Sequence, residues 1–278
     1  MATPSAFCVS AERARAGDRV WSRRVSRPLV LCSNDDGIDS PHLNELADRI
    51  EAFADVIVVA PERQRSAASH AITLHKPLRL SERRPGRYAL SGTPVDCVYV
   101  GVLKICDRKP AVVVSGVNDG FNLGSDVFYS GTVAAAVEGA LRGAAGIACS
   151  LAPRATAVAH ALDFAAKVIH AAIAEPMAPG TVLNVNLPGT ASDEYQWTTL
   201  GRRIYEDDVV ERADPRGRPY YWVGGGPAGH DDLPGTDCVA IARGWNSLTP
   251  MHLDLTDRGR VAHPPWHLEG YRAIAGTR

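Results

Sequence analysis

Short apolar runs alternate with amphipathic segments along the first two thirds of the chain. Five runs are apolar at nearly every position and predict β-strands, at residues 28–33, 55–60, 111–115, 146–151 and 181–187. Helical spacing predicts helices at residues 41–53, 132–141 and 154–174, and the turn at residues 92–94 predicts another helix that begins at Pro94. Such strands, separated by helices, are typical of a parallel sheet covered by helices on both faces. The pattern predicts the α/β class, with a Rossmann-like, mostly parallel sheet.

The character of the sequence changes after Pro188. Candidate strands lie at residues 197–205, 220–223 and 238–243, separated by glycine- and proline-rich turns such as residues 224–227. They predict a C-terminal β-rich appendage that serves oligomerisation or forms a lid. At the other end, an arginine-rich segment without apolar periodicity favours a disordered leader over an arm for an anionic partner. We therefore divide the chain into a leader at 1–27, an α/β core at 28–190 and the β-rich part at 191–278.

Composition narrows the classes of protein that remain. The 278 residues carry 30 Lys and Arg against 31 Asp and Glu, and this balance argues against stable nucleic-acid binding, which needs a basic surplus. No apolar run approaches the roughly 20 residues needed to span a bilayer, and the N-terminus lacks the apolar core of a secretory signal. The 6 cysteines form no CxxC pair and indicate reduced thiols. We expect a cytoplasmic protein without a membrane partner.

Polar residues follow three of the predicted strands: Asn34, Asp35 and Asp36 after the first, Ser66 to His70 after the second, and Asn118 and Asp119 after a later one. In open parallel sheets, ligands bind outside the carboxyl ends of the strands. Carboxylate, hydroxyl and amide oxygens suit Mg²⁺ or Mn²⁺ better than zinc. Alone, the two aspartates are equally typical of a turn that caps the next helix. The second polar strand end, at Asn118, favours the metal site.

A different arrangement favours an anion. Ser130, Gly131 and Thr132 stand where a predicted helix begins, so free backbone N–H groups and the positive end of the helix dipole would face a phosphate there. The alternative is an ordinary helix cap by Ser130 or Thr132. Upstream, Asn122 lies in a loop that would close over a ligand.

Eight stretches, in order, resemble the SurE-type survival protein family of metal-dependent nucleotidases. They are SNDDGI at 33–38, APERQRS at 60–66 with HAITL at 70–74, LSGTPVDCV at 90–98, SGVN at 115–118, NLG at 122–124, YSGT at 129–132 with EG at 138–139, LNVNLP at 183–188, and TD at 236–237 before LTP at 248–250. The resemblance extends from about residue 28 to about residue 256.

The resemblance implies an enzyme that hydrolyses nucleoside 5'- and 3'-monophosphates to nucleoside and phosphate. It implies one Mg²⁺ or Mn²⁺ ion per subunit, bound by four side chains: Asp35, Asp36, Ser66 and Asn118. It also implies a homodimer or homotetramer in which the C-terminal β-rich part exchanges between subunits. We expect a metal-activated water as the nucleophile, with Asp35 and Asp36 as the catalytic residues. Four further side chains are expected near the substrate: Asn34, His70, Asp119 and Asn122.

Departures from the family pattern leave the substrate open. Alanine follows Ser66 where glycine is common, and Asp119 precedes Gly-Phe where a small residue or histidine precedes Gly-Pro. One alternative is a related phosphatase that acts on a specialised phosphorylated metabolite. An alternative of another class is a phospho-receiver signalling domain, which needs an Asp and a Lys at strand ends where this chain has Asn118 and Ser150.

Overall fold

A large mixed sheet organises the protein, whose computed structural model describes residues 27–205, 209–223 and 229–263. The strands of these ranges are β1 (Leu29–Ser33), β2 (Asp55–Pro61), β3 (Leu80–Arg84), β4 (Arg87–Leu90), β5 (Val112–Asp119), β6 (Ala145–Leu151), β7 (Thr181–Leu187), β8 (Tyr195–Trp197), β9 (Arg203–Ile204), β10 (Val209–Ala213), β11 (Pro219–Val223), β12 (Gly229–His230) and β13 (Asn246–His252). Nine of them form one sheet in the order β3-β4-β2-β1-β5-β6-β7-β13-β8.

The centre of that sheet is parallel. Strands β4, β2, β1, β5, β6 and β7 run in one direction, whereas β3 is antiparallel to β4 and β13 is antiparallel to β7. Strand β8 pairs in parallel with β13. Two small antiparallel sheets, β10 with β11 and β9 with β12, complete the strand pairing of the described ranges. The predicted α/β class and mostly parallel sheet are confirmed.

Helices cover the two faces of the sheet. They are α1 (Pro41–Ile50), α2 (Pro94–Val100), α3 (Gly131–Leu141), α4 (Val158–Ala174), α5 (Asp237–Ala242) and α6 (Arg258–Ala262). Side chains alternate along β1, so Val30 and Cys32 pack with α1 and α4, whereas Leu31 packs with α2 and α3. A π-helical segment, Gly101–Ile105, continues α2, and a 3₁₀ helix, Gly124–Phe128, precedes α3. Helix α2 begins at Pro94, as predicted.

The C-terminal third differs from the sequence prediction in two places. The strand predicted at residues 238–243 is wrong, because these residues belong to helix α5, which Thr236 caps by accepting a hydrogen bond from the Val239 N–H. A run of only five apolar residues, at 238–242, does not distinguish strand from helix by period. The strand predicted at residues 197–205 is interrupted, since only its two ends, in β8 and β9, are extended.

Residues after 190 also extend the central sheet, because β8 and β13 join it beside β7. The predicted leader, apart from Arg27, and the glycine-rich turn at residues 224–227 lie outside the described residues.

The five described cysteines are free thiols, and burial raises the pKa of Cys32 and of Cys149 to about 12. Within the described ranges, every helix is too short or too polar to cross a bilayer.

Gly139 lies where α3 crosses β5, and we expect alanine there to destabilise the fold. A Cβ atom at position 139 would lie 2.4 Å from Val113 Cβ. Overpacking of this kind costs about 1–3 kcal/mol, which exceeds the roughly 1 kcal/mol by which alanine is ordinarily favoured over glycine within a helix. Urea denaturation of Gly139→Ala measures the loss. The control is Leu141→Ala, at a position that is 52% exposed, and equal stabilities of the two variants would contradict this packing.

Candidate active site

Parallel pairing brings two of the predicted polar segments to one edge of the sheet. Ser33 at the end of β1 lies opposite Ser115 of β5, so the chain leaves both strands on the same side. Beyond Ser33, the Asn34 side chain donates to the Gly37 carbonyl and accepts from the Gly37 N–H, both at 3.1 Å. Asn34 is fully buried, and these bonds fix the turn that presents the two aspartates.

The loop after β2 is fastened to the same turn. The Ile38 N–H donates to the Pro61 carbonyl at 2.8 Å, and the Arg65 N–H donates to the Asp35 carbonyl at 2.7 Å. Ser66 follows directly and is exposed. The backbone therefore brings Ser66 beside Asp35, as the sequence predicted for the second polar segment.

Asp35 lies under the first turn of α3. Its Oδ1 accepts a hydrogen bond from the Thr132 hydroxyl at 2.5 Å. A Cβ atom at Gly131 would lie 3.2 Å from both Cβ and Oδ2 of Asp35, so the helix can approach the carboxylate this closely only because residue 131 has no side chain. Burial raises the pKa of Asp35, opposed by the Thr132 hydrogen bond and reinforced by the charge of Asp36.

Asp36 and Asp119 face each other across the strand edge. Burial raises the pKa of Asp36, a hydrogen bond from the Asp119 backbone lowers it, and the negative charge of Asp119 raises it again. The Gln64 side chain approaches the Asp36 carboxylate only at 3.4 Å. The edge thus concentrates negative charge in a partly desolvated place, and a bound cation would relieve this repulsion.

Asn118 follows an irregularity in β5, whose pairing with β6 shifts between Ser115 and Asn118. The Asn118 amide nitrogen donates to the Gly120 carbonyl at 2.8 Å. Because the nitrogen and oxygen of the amide point apart, this bond directs the Asn118 oxygen away from Gly120.

The donor set fits a hard cation rather than zinc. In the part of the chain that the structure describes, no three His, Cys, Asp or Glu side chains converge on a metal position. A cation here would depend on two carboxylates, of Asp35 and Asp36, supplemented by the hydroxyl of Ser66 and the amide oxygen of Asn118. Oxygen donors of this kind suit Mg²⁺ or Mn²⁺.

At the start of α3, Ser130 is an ordinary helix cap, and the two residues after it keep free backbone donors. The Ser130 hydroxyl accepts a hydrogen bond from the Val133 N–H at 3.0 Å, so this side chain is the helix cap. Gly131 and Thr132 are the first residues of α3, and N–H groups at the start of a helix have no partner within it. This helix start, at the positive end of the helix dipole, lies next to Asp35, which accepts the Thr132 hydroxyl hydrogen bond.

Two predicted substrate-near residues are engaged elsewhere. The His70 ring nitrogen Nε2 lies 3.2 Å from Oε2 of Glu138, on the third turn of α3. The Asn122 side chain is buried and donates to the Ser150 hydroxyl at 2.7 Å. Its backbone carbonyl accepts hydrogen bonds from the Asn184 and Asn186 side chains, at 2.8 and 3.0 Å. Asn122 thus fastens the loop that leads to α3.

Sequence reasoning missed the residues that hold this loop. Asp237 is fully buried, and its carboxylate accepts hydrogen bonds from the Gly124 N–H at 2.9 Å and the Gly201 N–H at 2.7 Å. Asparagines within the apolar strand β7 were a visible signal, because buried amides in a strand need partners. Asp237 gave a weaker signal, since an aspartate that follows a threonine is typical of any helix start.

Removing the charge of Asp35 should stabilise the metal-free protein. Because the folded-state pKa of Asp35 is raised, the folded protein binds this proton more tightly than the unfolded chain does. The ionised carboxylate therefore costs stability at pH 7, and the cost disappears as the pH falls below the ordinary aspartate value of about 4. In EDTA, Asp35→Asn should melt above the wild type at pH 7 and together with it at pH 3. The control is Asp39→Asn at an exposed position; a lower melting temperature for Asp35→Asn at pH 7 would contradict the assignment.

Comparison with known proteins identifies the family. The model of the family described as Survival protein SurE matches residues 30–207. A 5'-nucleotidase SurE of Myxococcus xanthus is 46% identical over 247 residues, which cover 87% of this chain and 94% of that protein. One of Anaeromyxobacter sp. (strain Fw109-5) is 49% identical over 252 residues, covering 87% and 97%. The crystal structure of the SurE protein from Aquifex aeolicus matches with a TM-score of 0.75 and 35% identity, over 84% of this chain and 96% of that one. The chain belongs to the SurE survival protein family.

Proposed function

We propose that this protein is a divalent-metal-dependent nucleotidase that hydrolyses nucleoside 5'- and 3'-monophosphates to nucleoside and phosphate. The observation that carries the proposal is the contact between the buried Asp35 carboxylate and the first turn of α3. A desolvated carboxylate and the start of a helix are adjacent there, and this supports a cation next to a bound phosphate, as a metal-assisted phosphatase requires. The curated relatives named 5'-nucleotidase SurE support this reaction and this substrate class.

The cation would be Mg²⁺ or Mn²⁺, held by four side chains: Asp35, Asp36, Ser66 and Asn118. When bound, such an ion supplies Lewis acidity toward a phosphoryl oxygen and lowers the pKa of a water molecule. The raised pKa values of the two aspartates support the assignment. Desolvation raises both pKa values first, and the charge of Asp36 then acts on Asp35 and that of Asp119 on Asp36, so each effect favours a counter-cation.

The residues of this chain have separate tasks in the proposed reaction. The N–H groups of Gly131 and Thr132 would bind the non-bridging phosphate oxygens, since the start of a helix favours an anion. The Thr132 hydroxyl orients the Asp35 carboxylate. Asp36 is the more accessible of the two aspartates, and with a raised pKa it would accept the proton of the attacking water.

The alternative of a specialised phosphorylated metabolite as substrate has one observation in its favour. Asp119, where the sequence departs from the family pattern, is exposed next to Asp36 and adds negative charge to the phosphate approach. The receiver alternative lacks such support, because Ser150, at the strand end where a receiver needs lysine, is buried and hydrogen-bonded to Asn122.

An oligomer is the third part of the proposal. Strands β10 and β11 form a hairpin, and every residue of the two strands is exposed, including Trp222 at 60% and Val223 at 86%. An apolar hairpin of this kind is typical of a contact with another chain. We therefore propose a homodimer or homotetramer with exchange of this C-terminal part. A cytoplasmic location and the absence of a nucleic-acid partner remain predictions.

Phosphate release tests the proposed reaction directly. The substrates are nucleoside 5'- and 3'-monophosphates, sugar phosphates and polyphosphate, each with Mn²⁺ and with EDTA. We expect the highest kcat/KM for a nucleoside monophosphate, loss of activity in EDTA, and recovery on adding Mn²⁺. Asp35→Asn should lower kcat/KM about 100-fold or more at saturating Mn²⁺, since a lost metal ligand costs several kcal/mol of transition-state stabilisation.

Each contrary outcome of this assay removes one part of the proposal. Full activity in EDTA, or near-wild-type activity of Asp35→Asn, would overturn the metal site. A sugar phosphate or another metabolite as the best substrate would favour the alternative substrate class. No release from any phosphomonoester would overturn the reaction itself.

Removing the Asp119 side chain should strengthen substrate binding and weaken metal binding. At about 6 Å and an effective dielectric near 20, two unit charges repel by on the order of 2 kcal/mol. Exposure of Asp119 reduces this repulsion by screening. We expect Asp119→Ala to lower KM for nucleoside monophosphates by about two- to tenfold and to raise the Mn²⁺ concentration that gives half the maximal rate. Changes below twofold in both quantities would mean that Asp119 is only a loop residue.

A further inference from the structure

One arginine beside the site has a buried nitrogen without a hydrogen-bond partner. Three arginines of the described chain have such an atom: Arg65, Arg87 and Arg142. Arg87 lies 2.6 Å from the Glu51 carboxylate, and Arg142 lies 2.8 Å from that of Glu138. Among the described residues, Arg65 alone of these three has no carboxylate within 4 Å. Buried polar nitrogens are ordinarily paired, so the Nε atom of Arg65 is an exception, and the charge of this side chain is free to bind a ligand.

Its neighbours locate the Arg65 side chain at the strand edge. The Arg65 backbone N–H donates to the Asp35 carbonyl at 2.7 Å. Burial raises the pKa of the Cys97 thiol on α2, and the Arg65 guanidinium is close enough to oppose that rise. Pro94, one turn before Cys97, lies 3.4 Å from where a Cβ of Gly131 would be. The Arg65 side chain thus runs from Asp35 toward α2, on the side of the site where α2 and α3 begin.

The charges at this edge of the sheet indicate that binding a phosphate needs a further positive charge. Asp35, Asp36 and Asp119 together carry three negative charges, so one divalent cation leaves the edge negative overall. A phosphomonoester brings up to two more negative charges. The start of α3 contributes only partial positive charge. Binding of such an anion therefore favours a full positive charge nearby.

We infer that Arg65 binds the phosphoryl group of the substrate, through the guanidinium nitrogens Nη1 and Nη2, opposite the first turn of α3. The inference rests on the proposed phosphatase function and assigns a further substrate-binding residue to it. The Nη atoms are not among the buried unpartnered atoms, and Arg65 as a whole is half-buried, so solvent and small anions reach them. A planar guanidinium with parallel donors matches two phosphate oxygens, which lysine cannot do.

The test separates anion binding from metal binding in the full-length protein. Calorimetry measures the affinity for inorganic phosphate in the presence of Mn²⁺, electron paramagnetic resonance measures Mn²⁺ binding, and steady-state kinetics use a nucleoside 5'-monophosphate. The variants are Arg65→Ala and Arg65→Lys. Arg63→Ala is the matched control, because Arg63 lies in the same loop, is exposed and has no role in the proposed site.

We expect Arg65→Ala to weaken phosphate binding at least tenfold and to lower kcat/KM at least 100-fold, while Mn²⁺ affinity changes less than threefold. Arg65→Lys should recover only part of the loss, and added guanidinium ion should partly restore Arg65→Ala. Arg63→Ala should stay within twofold of the wild type in all three measurements. Thermal melting checks that each variant is folded, and Arg65→Lys carries the test if Arg65→Ala is not.

Two outcomes would overturn the inference. Phosphate affinity within twofold of the wild type in Arg65→Ala would mean that the guanidinium does not touch the anion. Equal loss of phosphate and Mn²⁺ affinity would mean that Arg65 only holds the Ser66 loop in place. If the wild type binds phosphate in an Arg65-dependent manner but releases none from any phosphomonoester, the proposed function fails while the anion site stands.

Discussion

The close approach of α3 to Asp35 is the contact on which the rest of the site depends. A Cβ atom at Gly131 would lie 3.2 Å from Asp35 and 3.4 Å from Pro94, so the end of β1 meets the starts of α2 and α3. Both helix starts place partial positive charge beside the aspartate. The approach leaves Asp35 only 6% exposed, with one side-chain donor to its carboxylate, the hydroxyl of Thr132. This arrangement costs stability in the free protein, because an ionised aspartate is desolvated without full compensation. The same cost makes the edge receptive to a cation, since the oxygens are already held in place.

Comparison with other buried carboxylates explains why Asp35 is available for a ligand. Asp96 accepts hydrogen bonds from the backbone N–H groups of Thr73 and Thr93, both at 2.9 Å. Asp237 accepts three from backbone N–H groups, between 2.7 and 2.9 Å. These two carboxylates are saturated by backbone donors and act as clamps, one on the loop after Ser66 and one on the loop before α3. Asp35 and Asp36 retain unused lone pairs, and they follow directly on the carboxyl end of β1.

The sequence was sufficient for the elements whose apolar period is unambiguous, and it placed the polar strand ends at one edge correctly. It was insufficient where polar residues are buried or where a strand is fully exposed. Strand β13 is largely buried although it is rich in polar residues, because Thr198 is hydrogen-bonded to its Ser247 and Thr249 at 2.8 and 2.7 Å. Strand β3 lies at the edge of the sheet, and each of its residues is exposed. Its sequence therefore has no apolar period that would predict a strand. The short apolar run of α5 fits helix and strand equally well.

Within the site, sequence reasoning identified donor types but not the contacts that decide their roles. The two asparagines have different partners: the Asn122 amide donates to the distant Ser150 hydroxyl and fastens a loop, whereas the Asn118 amide donates to the Gly120 carbonyl two residues on. The isolation of Arg65 is likewise a tertiary property, because a carboxylate from a distant segment, as at Arg87, would have neutralised it. The charge at this edge therefore depends on the side chains that have no ion-pair partner as much as on those that have one. Arg65 has no carboxylate partner among the described residues, so its positive charge remains available for an anion. The aspartates beside it lack full sets of hydrogen-bond donors, so their negative charge remains available for a cation.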